Sequence, residues 1–232
     1  MKNYICINGK KSPLTEQQMK KLGVTSAESP IKKLMEAVRN SNARELYKVH
    51  DIVEIGDMEL EIIGFDHDKV SRDEALPTVT LMAKTLLPAR RMHSGACERG
   101  WIDTELRKWL NHEYFYGLPA ETQACIHRVT KYTHDYKGNM HETADLIFVP
   151  SESELFGSAI WSDYEDGPRY EAFATRNDRM RYDAEGESDW YWTRSAYGGN
   201  STHFTYVSGN GIAGHYVASY AIFRVPLCFV VA

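Results

Sequence analysis

The sequence predicts an α+β fold, and three observations carry that expectation. Short strand-like runs recur at 52–55, 58–62, 78–82, 129–133, 146–149, 190–192 and 223–231. Short amphipathic helices with recognisable caps lie between them. Long irregular stretches at 83–100 and 157–189 have neither period.

Residues 1–48 read as a separate N-terminal unit. A strand at 4–7 ends in the turn signal Asn8-Gly9. In the helix that follows, Thr15 is placed as N-cap, Gln18 can reach back to it, and Leu14 and Met19 can staple the entry. Gly23 suits the position just past the helix end. A second helix starts at Ser29-Pro30, with serine as cap and proline at the first helical position. Its Ile31, Leu34, Met35 and Val38 share one face, and Asn40-Ser41-Asn42 breaks it. So short a helical pair buries little by itself. The expectation is a docking piece through which the chain forms a homo-oligomer.

From residue 49 the pattern turns to strand. Ile52, Val53 and Ile55 lead into the turn Gly56-Asp57, and 58–62 alternates apolar residues with acids, one face in and one out. Residues 101–130 are predicted helical up to a strand at 129–133, with Asp103 as cap, Leu106, Trp109 and Leu110 on one face, and Pro119 opening a further helix. Residues 135–143 are predicted to be loop and 146–149 a buried strand. Ser151-Glu152-Ser153-Glu154 has the spacing of a capping box, in which serine and glutamate satisfy each other's free N–H groups.

The C-terminal segment organises the rest. Trp190 and Trp192 flank Tyr191 at period two, which suits a strand with one buried face. The closing run to Val231 is nearly all apolar, as in a strand buried on both faces. Between them, 196–220 is rich in tyrosine, serine, asparagine, histidine and glycine. Binding loops favour that composition, because tyrosine offers contact area at low entropy cost and small polar residues adapt. Hairpin turns that happen to be aromatic would read the same way.

The 232 residues suffice for one large or two small domains. A net charge of −5 argues against a general nucleic-acid binder, which needs a basic surface. No run of 18 apolar residues suggests a transmembrane helix, and the N-terminal apolar run is too short for a secretory signal. The expected site of synthesis and folding is the cytoplasm, with a cell surface as destination by another route. The cysteines, Cys6, Cys97, Cys125 and Cys228, lack metal-ligand or redox spacing.

The runs Trp101-x-Asp103-x-x-Leu106-Arg107-x-Trp109-Leu110-Asn111, Leu118-Pro119, Val129-x-Lys131 and Leu146-Ile147-Phe148-Val149-Pro150-Ser151-x-Ser153-Glu154 resemble a family of uncharacterised bacterial and phage domains. That family ends in Trp-Trp-x-Arg-Ser, a variable polar stretch, and a closing Arg-x-Pro-x-x-Cys-like strand. Here Tyr191-Trp192-Thr193-Arg194-Ser195 and Arg224-Val225-Pro226-Leu227-Cys228 stand in those places. The similarity covers 49–232. The family is similar to the C-type-lectin-like fold in its formylglycine-generating-enzyme variant, a twisted antiparallel sheet with flanking helices and long loops. One branch comprises the variable proteins of diversity-generating retroelements. The resemblance implies an exposed C-terminal binding face.

The division expected is therefore 1–48 as appendage and 49–232 as a C-type-lectin-like ligand-binding domain. The ligand-binding candidates are Tyr191, Ala196, Tyr197, Asn200, Ser201, His203, Thr205, His215, Tyr216, Ser219 and Tyr220, facing a protein or cell-surface ligand. No catalytic residue, metal or cofactor is expected. The formylglycine-generating enzymes use paired C-terminal cysteines, and Cys228 is alone in that region. Calcium would accept Asp163, Glu165 and Asp166, but their spacing is not that of an EF-hand loop, and a solvated acidic loop is the default reading. His127, His134 and His141 recur every seven residues without sharing a helical face. Arg194 and Arg224 are expected to pair with buried carbonyls or acids. The alternatives are a formylglycine-generating-type enzyme and a fixed module of a phage particle.

Overall fold

The computed structural model describes residues 29–232 and, before them, only the backbone of β1 (Tyr4–Ile7) and β2 (Lys10–Pro13), which pair antiparallel. The strand expected at 4–7 is present. The expected turn at Asn8-Gly9, the Thr15 cap with Gln18, the Leu14–Met19 staple and Gly23 lie outside the described residues.

Helix α1 (Pro30–Arg39) forms where expected. Proline is tolerated in its first turn because that N–H has no partner to lose. Ser29 contributes its carbonyl, which accepts from the Lys32 and Lys33 N–H groups, but no side-chain cap bond. Ile31, Leu34, Met35 and Val38 are buried in the same hydrophobic cluster as the sheets, and α1 packs on β3 (Ile52–Ile55). The short α2 (Ala43–Leu46) lies between them.

Gly56, at φ +60°, turns the chain into β4 (Met58–Phe65). The short β5 (Lys69–Val70) and the fully buried β6 (Val79–Ala83) follow. Helix α3 (Glu105–Trp109) is capped by Thr104, whose Oγ1 accepts from Arg107 N at 3.2 Å. Asp103, the expected cap, lies instead in the preceding 3-10 turn Gly100–Asp103, because the backbone becomes extended only at Thr104. α3 runs through a π-helical turn, Leu110–Tyr114, into a last turn at Phe115–Gly117, and α4 (Ala120–Gln123) follows.

Two further expectations are corrected. The stretch expected to be loop is a turn only over 135–139, and 140–143 belong to strand β8 (Met140–Asp145), paired along its length with β7 (Val129–His134). Residues 146–149 are buried but touch the ladder only through a bridge from Phe148 to Cys228. Helix α5 (Glu152–Phe156) then carries the complete Ser151–Glu154 capping box and ends at Gly157 in the left-handed region. The last strands are β9 (Tyr191–Ala196), β10 (His203–Val207), β11 (Ala213–Val217) and β12 (Cys228–Val231).

The result is a mixed α+β protein of antiparallel sheets: β12-β6-β4-β3, β11-β10-β9 and β5-β7-β8. β12 closes the four-stranded sheet beside β6 and is buried on both faces, as expected of that run. No described helix is long and apolar enough to cross a membrane.

Candidate functional site

The residues that carried the resemblance meet inside the protein. Arg194, on β9, forms a bidentate pair with Glu154 at the start of α5, with Nη2 to Oε1 at 3.0 Å, and its Nη2 also donates to the Asp166 carbonyl at 2.8 Å. Lys131, on β7, reaches the same Glu154 oxygen at 3.0 Å, the Tyr170 hydroxyl at 3.0 Å, and Asp68. Trp101 Nε1 and Arg107 Nε both donate to Asp145, at 2.9 and 2.6 Å. Asn111 bridges the Leu146 N–H and the Ile147 carbonyl. All of these except the half-buried Arg107 are buried, so each polar group must be partnered to be tolerated. Burial alone would push the Glu154 carboxyl up, but Arg194 and Lys131 outweigh it and hold Glu154 well below the usual carboxylate range. Arg194 and Arg224 thus do pair as expected, Arg224 with Asp189 and Asp183.

A cavity of about 270 Å³ opens onto this network beside His67 and His134. Among the described residues, only His67, Asp68 and Glu154 have their ligand atoms close enough to share a metal. Lys131 already bonds both of these carboxylates, so an ammonium supplies the positive charge there.

The expected binding residues divide into three sets. Tyr191, Ala196 and Thr205 are buried, which withdraws them as ligand contacts. Their side chains serve the interior: the Tyr191 hydroxyl donates to the Arg179 carbonyl at 2.7 Å, and Thr205 pairs with Thr193. Tyr197, His203 and His215 form a second set with Trp161. The Tyr197 and His215 rings stack at 3.8 Å and 3°, and Trp161 lies 4.9 Å from His215. Asn200 Oδ1 accepts from His203 Nδ1 at 2.9 Å, and the Ser201 hydroxyl donates to Glu98. A buried carboxylate sets this edge: Glu152 Oε2 accepts from the Ile160, Trp161 and Ser162 N–H groups at 2.9–3.0 Å, which fixes the loop that presents Trp161.

Tyr216 and Tyr220 form the third set, on the other face of the sheet. Successive residues of β11 point to opposite faces, so His215 and Tyr216 cannot share a surface. Phe223 is the floor of this third set. Tyr206, Tyr216 and Trp190 pack on it at 4.8, 5.5 and 5.9 Å, and Trp190 stacks flat on Tyr206 at 5.2 Å and 7°. Tyr220 meets Tyr216 edge-on. Trp190, Tyr216 and Tyr220 are 44%, 38% and 50% exposed, and Ile222 beside them is 55%. Gly214 makes room, since a Cβ there would lie 2.5 Å from the Tyr206 hydroxyl. Ser219 is exposed nearby in sequence.

Residues 77–232 match the family described as a domain of unknown function, DUF6273. The chain belongs to the DUF6273 family. No curated protein and no solved structure matches it. Of the network residues in this DUF6273 chain, Asp68 and His67 lie before the matched region, whereas Lys131, Glu154, Tyr170 and Arg194 lie within it.

Sequence reasoning missed Trp190 and Tyr206, the first because Trp192 two residues on suggested a shared buried face. The strand begins only at Tyr191, so the alternation does not extend back to Trp190. The remaining candidate chemistry disperses. Cys97, Cys125 and Cys228 are free and buried, and burial raises all three thiols, Cys97 to about 12. Asp166 turns inward to Ser195 and His134, away from exposed Asp163 and Glu165, so the three do not converge as calcium would need. His127, His134 and His141 each have a separate partner: the Ala232 N–H, Asp166 and Asp135.

Proposed function

We propose that this DUF6273 chain is a non-enzymatic binding protein that takes a protein partner on the Trp190–Tyr206–Tyr216–Tyr220 face. The observation that carries the reading is the convergence of these exposed aromatic rings on Phe223. The Trp190 indole N–H and the three tyrosine hydroxyls make no hydrogen bond to any described residue. Apolar bodies with free polar ends are what interface hot spots use. The buried ionic network supports the same division of labour: the residues of the resemblance hold the frame, and the C-terminal sheet is left for contact.

The reading keeps the C-type-lectin-like architecture as its fold. Its narrower form is a variable protein of a diversity-generating retroelement from a phage or bacterium. A near-copy of the DNA for about 190–231 downstream of the gene, mismatched at template adenines, supports the narrower form, and its absence removes it while leaving a fixed binder.

The test of the main proposal is binding to intact bacterial cells by the labelled protein and by Trp190→Ala. A hot-spot truncation of about 2 kcal/mol weakens binding roughly thirtyfold. Trp190 also packs on Tyr206 and Phe223, so the variant should lose some stability but stay folded at the assay temperature, which its unfolding midpoint checks. Equal binding by the two proteins, or no binding by the wild type to surface-exposed protein, overturns the proposal.

A further inference from the structure

We propose that the cleft between the 89–91 segment and helix α3 with its π-helical extension binds a small oxyanion, a phosphate or carboxylate group. This goes beyond the partner surface proposed above and rests on different residues. The cleft encloses about 640 Å³. On one wall the Arg90 guanidinium lies 4.1 Å over the Trp109 ring. The backbone beneath it is fixed on both sides: Arg90 N donates to the Phe223 carbonyl at 2.9 Å, and its own carbonyl accepts from Trp192 Nε1 at 2.8 Å. The backbone is thus fixed, and the ring seats the guanidinium over Trp109.

That guanidinium has no acceptor among the described residues, unlike Arg44, Arg91 and Arg224, each of which faces a carboxylate. A guanidinium stacked on an aromatic ring keeps its N–H edges free, and those edges match the paired oxygens of a carboxylate or phosphate. Lys108, one position before Trp109, also lines the cleft and is unpaired among the described residues. Glu105 is not free to neutralise them. Arg91 Nε holds it at 2.7 Å and Ser94 N at 3.2 Å, and these bonds lower its pKa. Glu113 is the other lining carboxylate. The lining therefore carries three cations against two carboxylates, before His112 is counted.

The π-helical turn is a second, independent observation. It spans Leu110–Tyr114 and places His112 and Glu113 on the cleft wall. Such turns are rare, occur as single turns inside α-helices, and are frequent at functional sites. Here the turn begins directly after Trp109, the ring that seats Arg90.

The test uses the full chain and follows the Trp109 indole N–H by ¹H–¹⁵N correlation, assigned with Trp109→Phe. Inorganic phosphate, phenyl phosphate and benzoate are titrated at constant ionic strength against sodium chloride. Saturable shifts with an oxyanion and not with chloride are expected. Loss of charged hydrogen bonds in Arg90→Gln should weaken binding at least about tenfold. Arg90→Lys, which keeps the charge but loses the fork, should also weaken it. Tighter phenyl phosphate than benzoate identifies phosphate chemistry, and the reverse identifies carboxylate. Equal shifts with chloride, or an unchanged titration in Arg90→Gln, overturn the proposal. Lys108→Gln, at an exposed position, serves as a second variant with the same expectation.

Discussion

Replacing Glu154 with glutamine should remove much of the stability of the protein. The side chain is buried and holds two cations, with Lys131 Nζ and Arg194 Nη2 each 3.0 Å from Oε1 and Arg194 Nη1 on Oε2. Oε2 also accepts from the Ser151 N–H at 2.8 Å. Glutamine keeps the shape but removes the charge and turns an acceptor into a donor facing cations. Breaking a buried ion pair by removing one partner costs about 3–5 kcal/mol. Glutamine can still accept from the Ser151 N–H and complete the capping box, so the cost is that of the ion pairs alone. Against a total stability of about 5–15 kcal/mol, this is a large share. At a urea slope of about 3 kcal/mol/M, the midpoint should fall by about 1–2 M. Urea unfolding followed by circular dichroism and tryptophan fluorescence measures it. A loss below about 1 kcal/mol, with the slope unchanged, would show that the network does not hold the frame. The pH dependence has a matching sign. A carboxyl held below its ordinary value contributes stability that is present above about 4.5 and lost as pH falls through the folded value.

Three further outcomes follow from the same geometry. Burial, and then His215, lowers the His203 pKa from its ordinary 6.5, so its contribution to stability is present above pH 6.5 and lost as pH falls through the folded value. Its Cε1–H signal should titrate below 6.5 and move up in His215→Asn, and a midpoint above 6.5 contradicts the packing. Cys97, Cys125 and Cys228 should resist alkylation at pH 8 in the native chain and react in urea, as mass spectrometry can read; fast native labelling of Cys228 would revive thiol chemistry. Gly214→Ala should tilt Tyr206 off Trp190, because the new methyl would sit 2.5 Å from the far end of that ring. It should weaken partner binding with little change in the unfolding midpoint, and unchanged binding counts against Tyr206 as a contact.

The parts of the fold legible in the sequence are those fixed by near neighbours. The capping box at Ser151–Glu154 formed as read because its two bonds lie within four residues. The apolar face of α1 and the β3–β4 hairpin were legible for the same reason. Strand β8 was not, since it is an edge strand with mostly polar, half-exposed residues that look like loop. The partner of Lys131 lies 63 residues away at Asp68, a pairing that no local spacing announces. For the candidate site, composition found the right segment but not its sides. Tyrosine and threonine suit a binding surface and a satisfied interior equally, and only sheet packing separates Tyr191 and Thr205 from Tyr216 and Tyr220.

The central claim is that contact belongs to the Phe223 face of the C-terminal sheet and not to its other side. The most direct measurement compares, against one captured partner, the affinities of Tyr216→Ala and Tyr197→Ala, each checked for an unchanged unfolding midpoint. The account predicts a loss of about thirtyfold for Tyr216→Ala and near wild-type affinity for Tyr197→Ala. The opposite pattern would place the binding surface at the Trp161–His215 edge and contradict the account.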